Sequence, residues 1–239
     1  MFPLRDENPS HHPPYVTWAL IALNAASWIL LQGLGQEPKL AASVCTLGLI
    51  PGELLGTAAP GTTIPLGEGI SCTLTDQANW LTPLSSMFMH GGWMHIIGNM
   101  WFLYVFGDNV EDAMGRARFL LFYVACGLAA AAAQVFANPA SAVPMVGASG
   151  AIGGVMGAYA VMYPHARIDV LFIFGFFVRV IPISALMMLG YWFAIQLVSG
   201  SVSRVDAGVA FWAHVGGFAA GALLSLPFRN RGVRAAPAL

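Results

Sequence analysis

A serine in Gly147-Ala148-Ser149-Gly150 and a histidine in Ala213-His214-Val215-Gly216-Gly217 each lie within a strongly apolar stretch, 65 residues apart. Polar groups are costly in hydrocarbon and usually functional where they occur there, so a meeting of the two explains both. A hydroxyl hydrogen-bonded to an imidazole is the pairing that nucleophilic catalysis needs, with the ring as general base. Each residue alone has a plainer reading. Serine is a preferred helix N-cap, and a buried histidine can serve only to bond neighbouring helices. Gly147-Ala148-Ser149-Gly150-Ala151 lacks the second glycine of a nucleophile elbow, which excludes an α/β-hydrolase.

A second group of polar residues precedes this pair: His90 in Met89-His90-Gly91-Gly92, then His95 and Asn99. At i and i+4, His95 and Asn99 share one helix face. Both can donate hydrogen bonds, as a developing oxyanion requires; interhelical bonding is the alternative. His90, His95 and His214 also raise a metal site, but there is no H-E-x-x-H and no carboxylate ligand or base in the apolar stretches. No metal and no cofactor is expected. No acid stands ready as a third catalytic member either, because Asp206 is eight residues before His214, about 12 Å along a helix. The arrangement expected is a Ser-His dyad.

The elements that must position these groups are membrane helices. Of 239 residues, 57% are hydrophobic and 9% charged, far below the roughly 25% charge of soluble domains. Apolar stretches of spanning length cover residues 15–34, 84–106, 119–136, 146–163, 182–198 and 208–228. The expected class is an all-α polytopic membrane protein with a polar tail at 1–14, one domain at 15–228 and a second tail at 229–239. Positive residues gather in cytoplasmic segments. With both termini inside, Arg5, Arg116, Arg118, Arg167, Arg179, Arg229, Arg231 and Arg234 are cytoplasmic, leaving only Lys39 and Arg204 outside. A net charge of −1 offers no basic face to nucleic acid. The N-terminus is not expected to be a cleaved signal, because fourteen mostly polar residues precede a full-length span without a convincing small-residue cleavage site, and His11 and His12 in that tail are expected to be solvated and without function.

Between the first two spans, residues 35–83 form a long external loop rich in proline and glycine. Its apolar pieces at Leu47-Gly48-Leu49-Ile50-Pro51 and Leu54-Leu55 suit the membrane interface or the bundle. Cys45 and Cys72 share this loop and are expected to bridge in an oxidising compartment, while Cys126 is a small packing residue. A polar turn over 107–112 is expected after the second span, its acids pairing with arginines or capping the third helix. The apolar run 170–178, flanked by Arg167 and Arg179, is too short to span and predicts a cytoplasmic interfacial hairpin. The fourth span, some fifteen residues from Ser149, covers roughly 22 Å of a core about 30 Å thick. Ser149 is therefore recessed and needs a water-filled cavity. Gly150 and Gly154, Gly153 and Gly157, and Gly217 and Gly221 make G-x-x-x-G faces that allow close backbone approach, bringing His214 beside the start of the fourth span.

These motifs resemble the rhomboid family of intramembrane serine proteases. The resemblance covers all the spans and rests on Gly147-Ala148-Ser149-Gly150, on Ala213-His214-Val215-Gly216-Gly217 with Gly221, on His90, His95 and Asn99, on Asn109-Val110-Glu111-Asp112 with Gly115, and on Tyr191-Trp192-Phe193 with Gln196. It implies a six-transmembrane-helix rhomboid bundle in which Ser149 attacks the substrate carbonyl and His214 is base, then acid. His95, Asn99 and the Ser149 backbone N–H would form the oxyanion hole. His90 would hold the long loop, with Gly147, Gly150 and Gly217 in support. Two features depart from the family pattern. Gly153 stands where some members stack a tyrosine beneath the imidazole, and Trp80 is followed by Leu81 and Thr82 rather than by arginine. The partners implied are transmembrane protein substrates entering sideways near the second and fifth spans, and the lipid bilayer. A bacterial plasma membrane, with the site open to the outer face, is the expected location. The competing readings are a catalytically inactive client-binding rhomboid-like protein and a transporter, the latter disfavoured by the absence of charge in the second to sixth spans.

Overall fold

Long apolar runs punctuated by proline, glycine and polar residues fold into helices, and the computed structural model describes residues 2–67, 70–202 and 209–229. A strand β1 (Phe2–Asp6) precedes α1 (Tyr15–Leu30). The connection that follows holds α2 (Lys39–Leu47), α3 (Pro51–Leu54), a hairpin of β2 (Thr63–Gly67) and β3 (Ile70–Thr73), and α4 (Thr82–Ser85). Then come α5 (Trp93–Met114), α6 (Arg116–Ala137), α7 (Ser149–Met162), a hairpin of β4 (Arg167–Phe174) and β5 (Phe177–Ser184), α8 (Ala185–Val202) and α9 (Phe211–Leu224). By length and composition α6 and α8 suffice to cross a membrane, and α1, α7 and α9 are shorter apolar helices. Arg204, Asp206, Arg231 and Arg234 fall outside the described residues, as does the first residue of the expected sixth span.

Helix α7 is the axis of the molecule. All its residues except Ser149 and Val161 are buried, against α6, α9 and α5. Its glycines explain how an uncharged helix is enclosed on every side: a Cβ on Gly217 or Gly221 of α9 would collide with the carbonyls of Gly150 and Gly154. The two backbones touch. Close packing of this kind supplies the dispersion energy that hydrophobicity cannot supply between helices in lipid.

Several boundaries differ from those expected. Residues 84–106 are not one helix: α4 and a 3-10 turn at Ser86–Phe88 are followed by an extended break, and α5 starts only at Trp93. Gly91-Gly92 accounts for this, since glycine is a poor helix former. At its other end α5 continues through residues 107–112, where a polar turn was expected. Glu111 accepts the backbone N–H groups of Val16 and Thr17 and the Thr17 hydroxyl, so it caps α1 rather than α6 or an arginine. Asp112 accepts the His11 N–H and pairs with the His12 ring. The two tail histidines thus tether the chain to α5 and are not idle. Pro182 belongs to β5, and the β-branched residues around it favour strand, so α8 begins three residues later. A 3-10 turn, Leu226–Phe228, closes the last helix, where Pro227 cannot extend it.

The connection between α1 and α5 packs on the bundle rather than on the membrane surface. Leu49 and Leu54 are buried against Ala131 and Val135 of α6, and Leu49 exchanges backbone hydrogen bonds with Met145. Cys45 and Cys72 form a disulfide that joins α2 to β3, and Cys126 is buried in the core. The β4–β5 hairpin is present where one was expected. Its third strand comes from outside the hairpin: β1, in the polar tail, pairs antiparallel with β4 to give the order β1-β4-β5.

Candidate active site

Ser149 is the first residue of α7, and it is not an N-cap. Ala148 occupies that position, with no side-chain capping bond, and the Ser149 hydroxyl lies 2.8 Å from His214 Nε2. The first helical bond runs from Ile152 N–H to Ala148 O, so the Ser149 N–H has no acceptor within the helix and faces outward at the positive end of the dipole. Gly147 makes this entry possible. Its φ of 125° is a conformation that side chains rarely adopt, and a Cβ there would sit 2.6 Å from His95 Nε2 and 3.4 Å from Ser149 Oγ. His95 and Ser149 thus both border the space at Gly147.

His214 lies on α9, where backbone contact with α7 holds it in register. Its Nδ1 is 2.8 Å from Gln196 Oε1 on α8. A carbonyl oxygen only accepts, so Nδ1 carries the proton and Nε2 is left to accept from Ser149. That is the tautomer a general base needs. The Trp192 ring, one turn before Gln196, lies 5.7 Å from the imidazole at 40°. At Gly153 a Cβ would be 3.2 Å from the His214 backbone oxygen and 3.8 Å from Trp192 Cη2. Trp192, not a residue of α7, supplies the ring beside the imidazole. Neither Gln196 nor Trp192 was assigned this role from sequence, where both appeared only among the residues of the fifth span that carry the resemblance. A further buried amide, Gln134 of α6, accepts the Ala213 N–H at 3.3 Å and steadies the start of α9.

The polar groups of α5 converge on the same place. His95 Nδ1 accepts the Gly91 N–H at 3.2 Å, which leaves Nε2 as the protonated, donating nitrogen. Asn99 is buried and its Nδ2 has no hydrogen-bond partner among the described residues, an expensive condition for an amide unless a ligand or water completes it. His90 lies in the break before α5, not on the helix. Its backbone N–H and carbonyl both bond the Gln32 side chain, each at 2.8 Å, and its ring stands edge-on to that of His95. It therefore ties the start of α5 to the end of α1. Ser149, His214, His95, Asn99, Trp192 and Gln196 all line one cavity of about 380 Å³, which Phe102 and Met156 floor with apolar surface.

A seryl hydroxyl, a correctly protonated imidazole and uncommitted donors around one cavity are the parts of an acyl-transfer site, and the chain matches the Rhomboid domain family over residues 77–231. It belongs to the rhomboid family. Rhomboid protease GluP of Bacillus subtilis is 34% identical over 155 residues, which are 65% of this chain and 28% of that protein. The putative rhomboid protease YdcA of the same organism is 33% identical over 86 residues, 36% of this chain and 43% of its own. RHOMBOID-like protein 5 of Arabidopsis thaliana is 30% identical over 171 residues, 72% of this chain and 50% of that protein. The matches thus span half or less of each of these relatives. Membership of the rhomboid family, with its apolar helices, makes this chain an integral membrane protein of helical, polytopic fold.

Proposed function

We propose that this rhomboid is an intramembrane serine endopeptidase, hydrolysing peptide bonds in or near transmembrane segments of other membrane proteins through Ser149 and His214. The observation that carries the proposal is the continuous chain Ser149 Oγ, His214 Nε2, His214 Nδ1 and Gln196 Oε1, with both links at 2.8 Å. Ser149 attacks the scissile carbonyl as His214 Nε2 takes its proton. The tetrahedral oxyanion is held by the Ser149 N–H, His95 Nε2 and Asn99 Nδ2, and His214 returns the proton to the leaving amine. Water then repeats the sequence on the acyl-enzyme. Substrate helices must unwind locally, because helical carbonyls are occupied by hydrogen bonds.

The helices α1, α5, α6, α7, α8 and α9 are taken as the membrane spans, the shorter of them crossing only part of the hydrocarbon core, with the α1–α5 connection as an external cap. The side bearing Ser149 also carries the Cys45–Cys72 disulfide, and disulfides persist in oxidising compartments. This supports a site open to the outer face and arginine-rich connections in the cytoplasm. Cleavage of a reconstituted single-span substrate is the decisive measurement: wild type cuts, while Ser149→Ala and His214→Ala do not. Undiminished cleavage by either variant would overturn the dyad. If wild type cuts none of several substrates but binds them, the chain is a client-binding rhomboid instead.

A further inference from the structure

The β4–β5 hairpin carries a surface that the proposed chemistry does not use. Phe174 and Phe177 close the hairpin as a pair, joined by Gly175-Phe176, and the positive φ of Gly175 fits the first central position of a type II′ turn. Ile173, Phe174, Phe176, Phe177 and Val178 are all strongly exposed, Phe176 completely so. Such a cluster is unusual for a surface in contact with water.

The charge distribution along the strands is zoned. Arg167 pairs with Ser184, Asp169 sits opposite Arg5 of β1 with an ion pair at 2.8 Å, and Arg179 opposes Phe172. Beyond that row no charged residue occurs before or after the turn. Nor is this a core face that failed to find its partner. Ile168 and Val170 are buried against the bundle, but Phe174, on the same face two rows past Val170, is 84% exposed. Successive residues of a strand point to opposite faces, so Ile173 and Phe174 make both faces of the tip apolar. A protein partner would cover one face; only a solvent of acyl chains wets both. Leu186, Met187 and Tyr191 of α8, the helix that follows the hairpin, are exposed as well.

We propose that the tip of this hairpin inserts into one leaflet of the bilayer, on the side of the molecule opposite Ser149, where acyl chains cover both faces and Arg179 lies among anionic headgroups. Three residue steps lead from Arg179 to Phe176, about 10 Å of extended chain, which matches the depth of interfacial insertion, roughly 5–10 Å. Deeper insertion is opposed by the backbone groups on the open edge of β5, which would be unsatisfied in hydrocarbon. The hairpin leads directly into α8 and so anchors the base of that helix.

Site-directed spin labels test this in vesicles of phosphatidylethanolamine and phosphatidylglycerol. Cys126 is buried and Cys45 and Cys72 are bridged, so Ile173→Cys, Phe174→Cys, Phe176→Cys and an exposed loop control, Asp76→Cys, take the label selectively. None of the four positions is buried, and the four variants report independently. Collision with oxygen relative to a water-soluble nickel chelate is expected to be several-fold higher at 173, 174 and 176 than at 76. Nickel accessibility at the tip equal to that at 76 would place the hairpin in water and overturn the proposal. So would shielding of one face or both from oxygen, which would mean that a second copy or another protein covers it.

Discussion

Two walls of the candidate active cavity are held in different ways. The wall made by α7 and α9 is a backbone-to-backbone contact in which no side chain can be inserted, and α7 is buried along nearly its whole length. The wall made by α8 is buried only at Ala185, Met188 and Leu189, within its first five residues, and its later turns are largely exposed. Yet each wall contributes to one hydrogen-bonded chain, Ser149 and His214 from the first and Gln196 from the second. Ser149 and His214 are thus held together across a backbone contact, while Gln196, which bonds His214 Nδ1, rides on a helix whose later turns are largely exposed.

Breaking the rigid wall should have the largest effect. Gly221→Val puts a branched side chain against the Gly154 carbonyl and forces the helices apart, at a cost of about 1–3 kcal/mol or more from overpacking. Turnover should fall toward that of Ser149→Ala, with a lower unfolding temperature in detergent. Wild-type cleavage by Gly221→Val would show that the contact does not set the dyad. Next comes Asn99→Ala, which removes one donor from the cavity without touching either wall. Loss of a single oxyanion donor typically costs about 10² to 10³ in rate, so kcat should drop by that factor at unchanged stability. An unaltered kcat would remove Asn99 from the oxyanion hole.

The α8 wall predicts a smaller penalty. Gln196→Leu deletes a neutral hydrogen bond to Nδ1, about 1 kcal/mol, or about fivefold in kcat, with KM little changed. Gln196→Glu should largely preserve the effect of the native amide, since its carboxylate still accepts from Nδ1. If both variants lose equally, Gln196 serves packing rather than the tautomer.

The same contrast explains what could be read from the sequence. Ser149 and His214 were legible because each is polar within a long apolar run, and the glycine spacing announced which helix faces would touch. His95 and Asn99 were legible because a spacing of four residues puts them on one face. The supports of His214 were not, although Trp192 and Gln196 were noticed: on a helix buried at only three positions, periodicity gives no sign of which side faces the site. The long polar extension of α5 was missed because its stability is tertiary, residing in Glu111 capping α1 and Asp112 holding the tail. β1 was missed because strand pairing across more than 160 residues of sequence leaves no local pattern.

That strand gives the smallest and most specific prediction, because it couples the two walls from below. β1 lies along α5, where Pro3 O accepts the Trp101 indole N–H and Phe2 stacks on the Trp101 ring, while the far strand of its sheet runs into α8. Its inner end is held by Asp6, which accepts a hydrogen bond from the Tyr159 hydroxyl of α7. Burial pushes the Asp6 carboxyl up to about 7, the nearby Asp108 carboxylate adds to the rise, and the Tyr159 bond only partly offsets it. In the released chain the same acid titrates near 3.9. Between these values the docked strand binds more protons than the released one, so docking weakens as pH rises. The contribution is complete below about pH 4, declines through pH 7 and is absent above it. Hydrogen-exchange protection of residues 2–6 should accordingly decrease from pH 5 to pH 8, with cleavage changing by less than about twofold, since the dyad is held independently by α7 and α9. Asp6→Asn should keep the strand docked and flatten the profile. An unchanged slope in that variant would assign the pH dependence elsewhere, and a parallel collapse of cleavage would mean that the rigid wall depends on the strand after all.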